Sequence, residues 1–595
     1  MAKVISIGRQ DFASLIEKNC FFVDKSYLIS QWWESEDDIT LIARPRRFGK
    51  TLNMSMLNCF FSNQYKNRSD LFQNLQIWRN EKYRILQGTY PVIFLTFADV
   101  KGMNYEDARN GIIAAISDAF SGYRALLKDE RISESEKGLL NELENYANNT
   151  DKDKKISNDT VCRSVKVLSA MLHRYYGKKV ILLLDEYDTP MQEAYLQGYW
   201  DELAGFIRNL FNSSFKTNPY LERAIMTGIT IASYSVGGKF AKQTSNGSTY
   251  VEPIFSDLNN LRVVTTTTNL YEDCFGFTEE EVFSALEEYG LGDQKAEVKR
   301  WYDGFVFGKT RDIYNPWSIT NYLKEGELNP YWTSTSSNGL VNSLLQKSTT
   351  EMKEKMEKLL NDEEVVEHFD EQIVFQQLKR EENAVWSLLV ASGYLRVTKV
   401  DYVGEDRIAM YHLNITNMET KGMFRKMFRS WFDVSEANYN EFMKYLLADD
   451  LDGMNHYMNQ ITMATFSYFD VGNGSSGTDD PERFYHGFVL GIMADQSNRY
   501  EIRSNRESGF GRYDVMMIPK DKNNVQTPAM ILEFKVRNMA KEKSLEETAQ
   551  KALEQICQKN YDAELDSSGI PRENIRHYGF AFEGKKVLIQ KDIEI

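Results

Sequence analysis

The sequence predicts an α/β protein with a parallel-sheet first half, a mainly helical middle and a mixed α/β end. Two observations carry the first part. Short, continuously apolar stretches occur at DITLIAR (38–44), YPVIFLTF (90–97), KKVILLLDEYD (178–188) and RAIMTGIT (223–230), and helical segments such as 51–62 and 105–127 lie between them. Strands that are apolar at every position belong to sheets covered on both faces, and strand–helix alternation favours parallel pairing. A third observation is the change near residue 275. From there to about 465 helical periodicity dominates, as in TTEMKEKMEKLLNDEEVVEHF (349–369).

The remaining elements follow from turn residues and periodicity. YSVGGKFAKQTSNGSTY (234–250) reads as a surface loop after the last of the early strands, and NGSSGTDDP (473–481) as a boundary. Beyond it the pattern predicts a helix near 481–495 and strands near 499–503, 512–519 and 529–536. A helix near 545–560 and strands near 576–590 complete the chain. The expected domains are therefore 1–275, 276–470 and 481–595. A chain of 595 residues holds roughly three to four cores of ordinary size.

Composition narrows the function classes. The net charge of -15 weighs against non-specific duplex binding, which draws its affinity from phosphate neutralisation, although a local basic groove is compatible with it. Cys20, Cys59, Cys162, Cys274 and Cys557 stand singly, without zinc-ligand spacing or a disulfide framework. The first residues lack the apolar core of a signal peptide, and no apolar run reaches membrane-spanning length. A reducing cytoplasm is the expected compartment, and a membrane is not an expected partner.

LIARPRRFGKTLNMSML (41–57) places an apolar strand, a tight loop and Gly49-Lys50-Thr51 at the start of a helix. A phosphate-binding loop needs this context, because N–H groups and the dipole at a helix N-terminus favour anions. Lys50 is expected to reach the β/γ-phosphates of ATP and the Thr51 hydroxyl to hold Mg²⁺, with Gly49 allowing close backbone approach. The loop itself is Arg44, Pro45, Arg46, Arg47 and Phe48, with Arg44 where a first glycine usually stands. One or more of the three arginines is expected to contact phosphate or a neighbouring subunit. ILLLDEYD (181–188) ends a strand in two acids. Asp185 is expected in the Mg²⁺ shell and Glu186 as the residue that polarises water. Thr227, at the end of AIMTG (224–228), is a candidate for the γ-phosphate or the water.

At the other end, GRYDVMMIP (511–519) and PAMILEFKV (528–536) read as adjacent strands. Glu533 and Lys535 lie two apart and share a face, while Phe534 points into the core. With Asp514, preceded by glycines 509 and 511, they form the carboxylate pair and lysine that hold Mg²⁺ and steer water at a phosphodiester. Gln555 on the following helix supports this set, and Arg503, Arg506, Arg512 and Arg537 are candidates for a basic substrate surface.

These motifs resemble those of bacterial and archaeal AAA-ATPase-like proteins with a C-terminal PD-(D/E)XK nuclease-superfamily domain. The resemblance runs almost end to end. It rests on ISIGRQDF (5–12), FFVDKSYLI (21–29), RPRRFGKT, LLLDEYDTP, IFSDLNNL (254–261), YEDCFGFTEEEV (271–282), WYDGFVFG (301–308), YNPWSITNYL (314–323), FYHGFVLGI (484–492), GRYDVMMI and ILEFKV. It implies a P-loop NTPase (AAA-like) parallel-sheet domain, a helical middle or lid region and a C-terminal α/β restriction-endonuclease-like domain. It also implies that Arg44 in place of the first loop glycine is the usual form. Lys50, Thr51, Asp185 and Glu186 match the nucleotide motifs, and Asp514, Glu533 and Lys535 match the nuclease motif. Asp24 and Lys25 match a signature without an assigned role. The sequence departs from the pattern after Thr227-Gly228, where Ile229, Thr230 and Ile231 stand in place of a basic residue. Expected cofactors are ATP and Mg²⁺. Expected partners are DNA or RNA and a second copy of the chain. Two readings stay open, an ATP-driven nuclease and an ATP-dependent switch or scaffold whose nuclease-like domain binds without cutting.

Overall fold

The structure is a computed structural model. It describes residues 2–148, 156–230, 233–235, 251–253, 255, 258–335, 338–371, 378, 382–431, 439–469, 487–488, 491, 496–508, 511–522, 524, 527–583 and 586–592. The expected boundary segment 473–481 and most of the expected helix 481–495 and loop 234–250 lie outside these residues. The chain divides into two compact units, Met1–Ser336 with Val366–Glu419, and Ser337–Val365 with Thr420–Ile595. Residues expected in a single middle region, 276–470, are thus distributed over both.

In the first unit the apolar stretches form β1 (Ile39–Ala43), β2 (Val92–Thr96), β3 (Val180–Asp185) and β4 (Leu221–Gly228). A short ribbon, β5 (Ser233–Ser235) with β6 (Val251–Pro253), follows, and then β7 (Leu261–Val264). The main sheet runs in the order β2-β3-β4-β1-β7, and each neighbouring pair is parallel. Every residue of β1 and β3 is buried, as a doubly covered sheet requires. Helices Tyr105–Ser121 and Asn158–Tyr176 lie between β2 and β3 in the chain. The second is capped by Ser157, whose side chain accepts from Thr160 N, and stopped by Gly177 at φ 73°. Because all five strands are parallel, the ends of β1, β3 and β4 open on the same edge.

The rest of the first unit is helical but also holds short antiparallel strands that helical periodicity does not announce. β8 (Phe277–Thr278), β9 (Phe305–Phe307) and β10 (Thr310–Tyr314) form a three-stranded sheet in the order β8-β10-β9. After the short β11 (Val365–Glu367), β12 (Leu395–Val403) and β13 (Ile408–Ile415) pair as a long hairpin. Glu419, only 1% exposed, closes this region. Its carboxylate accepts from Trp332 N at 2.6 Å, Thr333 N at 3.2 Å and Ser318 Oγ at 2.9 Å.

The second unit carries a five-stranded sheet in the order β14-β15-β16-β17-β18. Its strands are β14 (Tyr500–Ser508), β15 (Gly511–Pro519), β16 (Ala529–Val536), β17 (Ile575–Glu583) and β18 (Lys586–Lys591). Only β16 and β17 are parallel, with helix Leu545–Lys559 as their crossover. Gly579 on β17 lets that helix approach closely, since a Cβ there would lie 2.5 Å from Ala549 O and 3.1 Å from Ala552 Cβ. Met516, Ile531, Leu553, Ile556 and Leu565 form the core on the helix side. On the other face Phe534 stacks on Phe580, with ring centroids 4.5 Å apart.

Burial pushes the Glu419 carboxyl up to about 7, against the hydrogen bonds from Ser318, Thr333 and Trp332. The folded state therefore keeps a proton that the unfolded chain has lost, and this contribution to stability declines as pH rises from the ordinary carboxylate range through about 7. Glu419→Gln should flatten that part of the stability–pH profile, measured as thermal midpoints between pH 5 and pH 8. A profile identical to wild type would contradict the assignment.

Candidate functional site

The nucleotide-site residues lie on the open edge of the first sheet. β4 stands between β1 and β3, with Ile42 opposite Thr227 and Leu184 opposite Met226. Thr227 is therefore placed between the loop that follows β1 and the acid that ends β3. Its Oγ1 donates to Asp185 Oδ1 at 2.5 Å. Helix Lys50–Phe61 begins directly after Gly49, which holds φ 78°. Lys50 is buried, and its Nζ donates to Arg44 O at 3.1 Å and Pro45 O at 2.9 Å. Burial lowers the Lys50 ammonium from its ordinary range, and the charges of Glu186, Asp185 and Asp188 oppose this.

Asp185 is fully buried. Burial raises its carboxyl, and hydrogen bonds from Thr227 and Thr51 hold it down. Its second oxygen, Oδ2, is buried without a hydrogen-bond partner. Such an atom is costly unless a cation or donor meets it, so Asp185 with Thr51 fits a Mg²⁺ site of the kind the sequence suggests. Glu186 sits at φ 50°, outside the regions most side chains prefer, and its Oε2 accepts from Thr189 Oγ1 at 3.1 Å.

The basic loop is engaged within the first unit. Arg44 is 0% exposed. Its guanidinium donates to the carbonyls of Ala43 at 3.0 Å, Thr265 at 2.6 Å and Leu270 at 3.2 Å and lies 4.6 Å from the Phe307 ring centre. It therefore ties the end of β1 to the chain beyond β7 and is not presented to a phosphate. Arg47, at φ 67°, stacks on Trp317 at 4.2 Å. Arg46 donates to Gln192 Oε1 at 3.2 Å, and its carbonyl accepts from Asn315 Nδ2. Phe48 packs edge-on against Phe305 and Phe307. Pro45 lies against Gly393, where a Cβ would come within 2.8 Å of the proline ring. The five residues act as a clasp on the helical part of the same unit.

Sequence reasoning missed Asp188. Its Oδ2 accepts from Ile229 N, Thr230 N and Thr230 Oγ1 at 2.8–3.0 Å, and from Gln192 Nε2 at 2.9 Å. This buried carboxylate pins the turn after Gly228, where the expected basic residue is lacking. The third acid of LLLDEYD, two residues after Glu186, was the available signal. Asp24 and Lys25 also gain a role. Asp24 accepts from Ser26 N and Gln76 N, and buried Lys25 pairs with Glu281 at 2.6 Å and donates to Asp273 O at 2.7 Å. Both are braces within the first unit.

In the second unit the register Val515↔Leu532 continues to bring Asp514 beside Glu533. Asp514 Oδ2 accepts from Phe534 N at 2.7 Å. Glu533 is 2% exposed, and burial next to Asp514 pushes its carboxyl up to about 8. Gln555 links the two β16 side chains, with its Nε2 donating to Glu533 Oε1 and its Oε1 accepting from Lys535 Nζ at 2.7 Å. Glu533 Oε2 is buried without a hydrogen-bond partner, the same signature as Asp185. A divalent cation between Asp514 and Glu533 fits this donor set. The expected basic surface is reduced, because Arg503 is held by Glu501 and Glu564 and Arg537 by Glu583. The side chains of Arg506 and Arg512, and residue 509, lie outside the described residues.

A parallel sheet with a strand inserted between loop and acid defines an ATPase-like unit. A mixed sheet carrying an Asp and a Glu-x-Lys beneath a crossover helix defines a nuclease-like one. Residues 6–235 match the family model described as "Predicted AAA-ATPase", and residues 480–592 match that of the PD-(D/E)XK nuclease superfamily. The chain thus carries an AAA-ATPase-like region followed by a PD-(D/E)XK nuclease-superfamily domain. It is also similar to an uncharacterized protein from the vnfD 5' region of Azotobacter chroococcum mcd 1. The two are 23% identical over 96% of this chain and 95% of the relative. No helix among the described residues is long and apolar enough to cross a membrane.

Arg44→Met keeps the length of the side chain and removes its donors. Hydrogen bonds from charged groups contribute about 1.5–3 kcal/mol each, so the variant should lose at least that much stability. Chemical denaturation of the full chain checks this, and an unchanged midpoint would return Arg44 to the list of phosphate contacts.

Proposed function

We propose that the chain binds and hydrolyses ATP with Mg²⁺ at its first unit and cleaves nucleic acid with a divalent cation at its second. The observation that supports this best is the pair of buried, half-satisfied carboxylates, Asp185 and Glu533, each at the site its motif specifies. In the first unit, N–H groups at the start of helix Lys50–Phe61 would cradle phosphate, and Lys50 would exchange two carbonyl partners for a charged one. Asp185 and Thr51 would hold Mg²⁺, which neutralises charge on the phosphates. Glu186 would orient water, and Thr227 would fix the Asp185 rotamer.

In the second unit Asp514 and Glu533 would hold the cation, which supplies Lewis acidity at a phosphodiester oxygen. Lys535 would position water or stabilise developing negative charge, while Gln555 sets its direction. A second reading, a switch or scaffold whose nuclease-like domain holds a protein partner without cutting, is favoured by one observation: Arg503 and Arg537 are engaged by carboxylates and are not presented to a nucleic-acid backbone.

The test uses the full chain with labelled single- and double-stranded DNA and RNA, Mg²⁺ or Mn²⁺, and with or without ATP. Lys50→Ala should abolish ATP binding by calorimetry. Glu186→Gln should keep binding and lose about 10²–10⁴-fold in turnover. Asp514→Ala should abolish cutting and metal binding together, whereas Lys535→Ala should lose cutting alone. Unchanged ATP affinity in Lys50→Ala sinks the first half. Wild-type protein that never cuts replaces the second half with the scaffold reading.

A further inference from the structure

A second cluster of ligating side chains lies on the same crossover helix as Gln555. Gly579 draws helix Leu545–Lys559 down onto β17, with Ala549, Ala552 and Leu553 directly over the glycine. One turn beyond Leu553 the helix brings Cys557 to the strands. His577 lies two residues before Gly579 and so projects from the same face. The β17–β18 pairing, Tyr578↔Lys591, carries on to set Asp592 opposite His577, with Asp592 N donating to His577 O at 3.3 Å.

Cys557, His577 and Asp592 each offer one ligand atom, and these atoms lie within 4.8 Å of one another. Cys557 Sγ is 3.6 Å and His577 Nδ1 is 3.7 Å from Asp592 Oδ2. Ligand atoms on a tetrahedral zinc ion are about 3.3–3.6 Å apart, as the usual zinc–sulfur, zinc–nitrogen and zinc–oxygen bond lengths dictate. The sulfur–oxygen separation falls in that range before any ion is added, and the nitrogen–oxygen separation lies just outside it. The other ring nitrogen, Nε2, faces Asp562 Oδ1 at 2.7 Å. Such a carboxylate orients a metal-bound imidazole and selects the tautomer with a free Nδ1. Cys557 is exposed, whereas the other four cysteines are buried.

We propose that Cys557, His577 and Asp592 form a binding site for a zinc-class divalent ion, with Asp562 as the positioning residue for His577. The mixture of thiolate, imidazole and carboxylate suits zinc or cobalt and not magnesium, so this site and the Asp514/Glu533 site select different ions. Three protein ligands leave the fourth coordination position to solvent. An ion here joins the end of helix Leu545–Lys559 to β17 and β18 and braces the helix that carries Gln555.

Full-length protein stripped by a chelator and titrated with Co²⁺ tests the site directly. The expected result is one equivalent of Co²⁺ with a thiolate-to-cobalt charge-transfer band, displaced by Zn²⁺ and retained in Asp514→Ala. Cys557→Ser should abolish the band. Asp562→Asn, which keeps all three ligands, should weaken binding about 10–100-fold. Circular dichroism of both variants reports whether they remain folded. No charge-transfer band in wild type, a band that survives Cys557→Ser, or Asp562→Asn binding as tightly as wild type would overturn the proposal.

Discussion

A carboxylate taken out of water is costly unless something meets each of its oxygens, and of the three described carboxylates with a buried, unpartnered oxygen, Asp185, Asp303 and Glu533, the first and last lie where strands end or pair at the candidate sites. Asp185 meets Thr227 through Oδ1 and leaves Oδ2 without a hydrogen-bond partner. Glu533 meets Gln555 through Oε1 and leaves Oε2 in the same condition. Leaving a buried charged oxygen unpaired costs at least about 1–3 kcal/mol, and evolution toward stability alone favours removing it. Around each acid the fold is arranged to keep it. β4 is inserted so that Thr227 reaches Asp185, and the crossover helix descends over Gly579 so that Gln555 can reach Glu533. Strained or half-satisfied groups of this kind belong to sites that await a ligand.

The basic loop illustrates the opposite outcome. Three arginines in four positions suggest an anion, yet cations are equally well compensated by carbonyl oxygens and aromatic faces. Arg44 meets carbonyls and Phe307, and Arg47 lies over Trp317. Together with Pro45 and Phe48 they join the phosphate loop to the helical part of the first unit. Lys50 draws its present acceptors from that loop, the carbonyls of Arg44 and Pro45. In the proposed reading a phosphate draws on the same ammonium, whose three donors already serve two loop carbonyls.

Much of this was legible in the sequence because apolar strands and punctuated loops are local signals. β1 to β4, the helix at Lys50 and the alternation that sets Glu533 and Lys535 on one face all follow from spacing. Signals that depend on distant partners were not legible. β7 is only four residues long, and its role as a parallel edge depends on β1. β12 and β13 alternate weakly and lie among helices. The anchoring of Arg44 depends on carbonyls more than 200 positions away, and the role of Asp188 depends on a turn some 40 positions later. Glu564 and Glu583, which engage Arg503 and Arg537, likewise come from other elements, so the sequence around these arginines does not show that they are paired.

The central claim is that, besides the zinc-class site proposed at Cys557, the chain holds two independent Mg²⁺-class cation sites, one that requires nucleotide and one that does not. Counting bound Mn²⁺ in the full-length protein by electron paramagnetic resonance tests it most directly. The account predicts one Mn²⁺ in the absence of nucleotide, lost in Asp514→Ala. A second should appear only with a non-hydrolysable ATP analogue and be lost in Lys50→Ala while the first remains. A single class of Mn²⁺ that ignores nucleotide and survives both substitutions would contradict it.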